Sequence, residues 1–65
     1  MLTGYVKKWD YSKGWGFIEC DDDEYDYFLN VSNVRKGVKI KEGLHVKFDF
    51  FEGQKGPEAE NVSIV

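Results

Sequence analysis

Cysteine, histidine, proline and methionine occur once each in this 65-residue chain. One cysteine cannot close an intramolecular disulfide, and one cysteine with one histidine cannot assemble a zinc site. A domain this small must therefore hold together through a compact apolar core, which 42% hydrophobic and 17% aromatic content can supply. No apolar run, the opening Met1-Leu2-Thr3-Gly4-Tyr5 included, has the length of a signal peptide core or a bilayer span. With the unpaired thiol, this predicts a cytoplasmic protein that does not enter membranes. Catalytic pairings are missing too: His45 reads as an outward strand position and Cys20 as a small buried hydrophobe, so no enzyme and no cofactor is expected. The acidic run Asp21-Asp22-Asp23-Glu24 lacks the glycine and distal glutamate of a calcium loop, and reads as a solvated hairpin rather than a metal site. Positive charge is also scarce, with nine Lys and Arg against twelve Asp and Glu. Phosphate binding is normally driven by basic surface, so the distribution matters. Acids crowd into Asp21–Asp26, while bases gather at Lys7, Lys8 and Lys13 and again at Arg35, Lys36, Lys39 and Lys41.

Helical periodicity is absent as well. Short β-branched and aromatic runs, separated by Gly, Asp and Asn clusters, predict strands in one domain over residues 1–65. The first strand is placed at Leu2 to Asp10, with Leu2, Gly4 and Val6 inward. A bulge at Lys7–Lys8 is expected, because strict alternation would bury Lys8; the bulge turns Lys8 outward and tucks Trp9 partly under. Trp15 to Cys20 forms the second strand. The third is read as Asp26 to Ser32, with Leu29 and Val31 in the core, followed by one helical turn over Ser32–Val34. Leu44 to Phe51 forms the fourth, with Val46, Phe48 and Phe50 inward, and Glu58 to Val65 the fifth, giving Ala59, Val62 and Ile64 to the core. Five short strands without a helix predict an all-β fold, a five-stranded antiparallel OB-fold barrel.

The most informative stretch is Lys13-Gly14-Trp15-Gly16-Phe17-Ile18-Glu19-Cys20. Alternation puts Trp15, Phe17 and Glu19 on one face and Gly16, Ile18 and Cys20 on the other. An isolated Trp–Phe pair is more often core. Burying this pair, however, would carry Glu19 inward and expose Ile18 and Cys20. The rings are therefore read as surface platforms standing in water, roughly 6.6 Å apart along the strand. Such platforms bind single-stranded nucleic acid by stacking. The stretch also fits the Lys/Arg-Gly-aromatic-Gly-Phe-aliphatic ribonucleoprotein pattern. Phe28 is expected beside these rings, Lys7, Lys8 and Lys13 at phosphates, and Asn30 at a base edge. Gly14 and Gly16 are read as bare backbone over which a base can lie.

Over nearly its whole length the chain resembles the bacterial cold-shock proteins. Met1-Leu2-Thr3-Gly4-Tyr5-Val6-Lys7 is similar to that family's opening strand, Lys13 to Glu19 to its first ribonucleoprotein motif, and Phe28-Leu29-Asn30-Val31-Ser32 to its second. Glu42-Gly43, Glu52-Gly53 and Gly56-Pro57 through Asn61-Val62 resemble the C-terminal half. The resemblance implies an OB-type barrel that binds single-stranded RNA or DNA, working as an RNA chaperone or antiterminator; separately, a monomer is expected. It also exposes departures. Lys8 stands where the family carries an exposed Trp, with Trp9 replacing the following Phe. Phe28-Leu29-Asn30-Val31 replaces Phe-Val-His-Phe, and the loop before Gly43 is short, with Val38 nearest to the usual aromatic. Binding weaker than that of a standard member is therefore expected. The alternative is a protein-interaction module on the same scaffold, suggested by the reduced ring set and the net charge of −3.

Overall fold

The computed structural model describes residues 1–65. It contains strands β1 (Leu2–Asp10), β2 (Trp15–Cys20), β3 (Asp26–Asn30), β4 (His45–Gly53) and β5 (Gly56–Ile64), with a single 3-10 turn over Val31–Asn33. The strands close into a barrel in the order β1-β2-β3-β5-β4. Every contact is antiparallel except one: β3 meets β5 in parallel, through the pair Phe28 and Glu58. A further parallel bridge joins Val34 to Val62 below it.

Alternation supplies the core. Val6, Ile18, Leu29, Val46, Phe48 and Val62 are fully buried, with Ala59 between them, and each large member contributes roughly 1.5–3 kcal/mol by leaving water. The expected bulge is present: Val6 pairs with Ile18 and Lys8 with Phe17, leaving Lys7 as the extra residue. Trp9 is thereby turned into the core and Lys8 out of it. The loop between the 3-10 turn and β4 adds Ile40 to the core, with Val34, Val38 and Leu44 packed against it.

Three core assignments are corrected. Val31 is 54% exposed, because β3 ends at Asn30. The Asn30 Oδ1 accepts from the backbone N–H and the hydroxyl of Ser32, both at 3.0 Å, bending the chain out of the pleat one residue before Val31 would reach the interior. Phe50 is 49% exposed although its parity is inward. β1 stops alongside Phe48, at Leu2, so β4 runs past that neighbour and Phe50 is paired only on its other side, with Ala59 of β5. Ile64 is also exposed, since beyond Val62 β5 keeps only β4 for company. Gly16 is corrected too. Its missing side chain faces inward, where a Cβ would collide with the Lys8 carbonyl oxygen, so this glycine lets β1 and β2 approach rather than receiving a ligand. Gly14 serves its turn, at φ +73°.

Candidate nucleic-acid interface

The antiparallel register of β2 and β3 sets Trp15 beside Asn30, Phe17 beside Phe28, and Glu19 beside Asp26. Since Lys8 pairs with Phe17 and Phe28 with Glu58, a single outward row runs Lys8, Phe17, Phe28, Glu58 across four strands. The three rings touch as a triangle. Centroid distances are 6.2 Å for Trp15–Phe17, 6.0 Å for Trp15–Phe28 and 5.7 Å for Phe17–Phe28, two edge-on and one tilted, within the favourable range for aromatic pairs.

The rings do not stand equally in water. Trp15 and Phe17 are half-buried, whereas Phe28 is only 7% exposed. It nevertheless lies outside the core cluster. The other two rings flank it, and Lys55, at the tip of the β4–β5 hairpin, places its Nζ 4.9 Å from the Phe28 ring centroid and 6.0 Å from that of Trp15. Phe28 is thus an outer-face residue under a lysine roof, a correction to the picture of three open platforms. Sequence reasoning missed Lys55: forty residues separate it from Trp15, and its segment reads only as a turn.

The expected phosphate contacts separate into two kinds. Lys7 donates to the Asp26 carboxylate at 3.0 Å. This hydrogen bond and the attached charge raise its pKa, so the ammonium is already partnered. Lys8, Lys13 and Lys55 enter no ion pair. Lys8 and Lys13 share a cleft with Trp15 and Tyr11. The turn leading to Lys13 is held by Asp10, whose carboxylate accepts from the Ser12 hydroxyl and from the Ser12 and Lys13 backbone N–H groups, at 2.8–3.0 Å. Those bonds, the hydroxyl's first, lower its pKa. Asn30 spends its carbonyl oxygen on the cap described above, which leaves the Nδ2 group as a donor beside Trp15 and Phe28.

The acidic run Asp21–Glu24 lies past Glu19 and Asp26, away from the rings, whereas Asp10, Glu42, Glu52 and Glu58 line the clefts beside them. Asp21 accepts from the Thr3 hydroxyl at 2.8 Å and pairs with His45 Nε2 at 2.9 Å, and the histidine contact leads in lowering its pKa. Asp23 accepts from the Tyr27 hydroxyl at 2.8 Å. Burial, then that contact, pushes Tyr27 up to about 12. Around this point a second aromatic group forms: Tyr25, Tyr27 and Phe50, with Leu2 and Pro57, rimmed by Asp23 and Glu52. No group of three or more His, Cys, Asp or Glu side chains is placed to hold a metal ion.

A family model described as 'Cold-shock' DNA-binding domain matches residues 2–65. The chain is 43% identical over 65 residues to Cold shock protein ScoF of Streptomyces coelicolor, covering 97% of both chains. It is equally similar, with the same coverage, to Cold shock-like protein CspLB of Listeria monocytogenes. It is 41% identical over 66 residues to Cold shock-like protein CspC of Escherichia coli K12, covering 98% of this chain and 96% of that one. Among solved structures, drosophila Unr CSD456 superimposes with a TM-score of 0.81 at 17% identity, over 98% of this chain and 26% of that one. At that identity the likeness is one of fold, and the fold is the five-stranded OB barrel.

Proposed function

The chain belongs to the cold-shock domain family, whose members bind nucleic acids and are not enzymes, and from that premise we propose that it binds single-stranded RNA or DNA by stacking bases on Trp15, Phe17 and the edge of Phe28. The observation that carries this reading is the outward row Lys8–Phe17–Phe28 with Trp15 against it, bordered by three lysines free of ion pairs. Stacking fixes bases, each worth roughly 1–3 kcal/mol, while Lys8, Lys13 and Lys55 meet phosphates. Lys7 contributes only when a phosphate displaces Asp26. Binding of this kind holds RNA unpaired, the physical basis of a chaperone or antiterminator role, performed by one monomeric domain in the cytoplasm. No helix is long and apolar enough to cross a membrane. Titration with an oligo-dT heptamer tests the proposal: Trp fluorescence should be quenched strongly, and the quench should vanish in Trp15→Leu.

One observation favours a second reading, a protein-interaction role. Tyr25 is 64% and Phe50 49% exposed, and carboxylates rather than lysines rim them, a surface suited to a basic protein. An intact fold that shows no quench at high micromolar DNA would select this reading.

A further inference from the structure

The outward row does not stop at Glu58. Glu58 pairs on its far side with Phe51 of β4, so the row continues Phe28, Glu58, Phe51. With neighbouring strands about 4.8 Å apart, the two phenylalanines stand roughly 10 Å apart at the backbone, with the glutamate on the strand between them. The result is an open cleft whose walls are Trp15 and Phe28 on one side and Phe51 on the other. Phe51 is 38% exposed there. Glu58 leans over Gly53, where a Cβ would strike its carboxyl group. It takes part in no side-chain hydrogen bond or ion pair.

We infer that this cleft admits one base edge-first between Phe28 and Phe51, that Glu58 reads its edge, and that guanine is the base it prefers. The inference rests on the nucleic-acid reading above and adds a selectivity that stacking alone does not give. An ionised carboxylate only accepts hydrogen bonds. Guanine presents two adjacent donors, N1–H and the N2 amino group, which match the two oxygens of Glu58. Cytosine and adenine present one amino group each. Uracil and thymine present a single N3–H between two carbonyl oxygens, which the carboxylate repels. The free Nδ2 donor of Asn30, in the same cleft, complements the guanine O6. Lys55, now over the rings, is displaced from them by the entering base and is left near its phosphate.

The experiment compares two DNA heptamers, dT7 and the same strand with a central guanine, against the full chain, by Trp fluorescence and amide chemical shifts. The guanine heptamer should bind roughly tenfold tighter, the scale of one two-point base contact. Glu58→Gln should erase that preference by weakening the guanine heptamer, with dT7 unweakened because the carboxylate that repels thymine is gone, and Phe51→Ala should weaken the guanine heptamer more than dT7. Phe50→Ala, on the opposite side of the same strand, should change neither. Equal affinities for the two heptamers, or a preference that survives Glu58→Gln, would overturn the inference while stacking stands. Failure of both heptamers to bind an intact fold would overturn the nucleic-acid reading and this one with it.

Discussion

Two ring clusters sit on one small barrel and differ less in their aromatics than in their surroundings. Trp15, Phe17 and Phe28 have Lys8, Lys13 and Lys55 about them, interleaved with Asp10, Glu42, Glu52 and Glu58. Tyr25, Tyr27 and Phe50 have Asp23 and Glu52. The β4 strand divides them by alternation, sending Phe50 to the tyrosine group and Phe51 to the cleft that holds Lys55 and Glu58, while Glu52 lines both. Exposed rings therefore do not by themselves make a phosphate-binding surface: carboxylates stand beside both groups, and only the first has lysines among them.

The largest effect expected from breaking this comparison is on affinity. Trp15→Ala should weaken heptamer binding by about 1–3 kcal/mol, or roughly 5- to 150-fold. Phe50→Ala should leave affinity within twofold; an equal loss in both variants would mean that the clusters form one site. Next comes the salt response. With three lysines at phosphates the log–log slope should lie near −2, at roughly 0.7 per phosphate, and Lys8→Ala with Lys13→Ala should bring it to about −0.7. A slope left unchanged would remove those two lysines from the interface. Third, Tyr27→Phe should cost about 0.5–1.5 kcal/mol in urea unfolding, through loss of the bond to Asp23, with heptamer affinity unaltered. Because the folded state holds the Tyr27 proton more tightly, its contribution is full below about pH 10 and fades as pH climbs toward about 12. The difference in phenolate absorbance between wild type and Tyr27→Phe should report that late step. The smallest effect is at acid pH. Folding lowers the Asp21 pKa, so its contribution is present above about pH 4 and drains away as pH falls through the folded value. Asp21→Asn should flatten the acid limb of the stability profile and leave binding at neutral pH untouched.

Local patterns were readable wherever a strand had neighbours on both sides. The bounds of β1 and β2, the Lys7 bulge and the inward set from Val6 to Phe48 follow from alternation and from the cost of burying a lysine. What escaped was set by where partners end. Phe50 and Ile64 keep inward parity but outlive their neighbouring strands, and Val31 is diverted by a side-chain cap one residue earlier. The ring face was legible as a face, yet its roof was not. Lys55, Phe51 and Glu58 reach it only through barrel closure, a contact between segments thirty residues apart with no short-range signature. Lys7 shows the converse: its outward position was foreseen, its pairing with Asp26 was not.

The parallel contact that completes the barrel is its slimmest joint, a single residue pair between β3 and β5 reinforced by one bridge further along. Both residues of that pair, Phe28 and Glu58, also line the cleft. An oligonucleotide gripping them would act as a clasp across the joint, so occupancy and resistance to unfolding become one quantity, rising together with ligand concentration. A domain with so little interior would then be at its sturdiest while holding RNA and at its most yielding when empty.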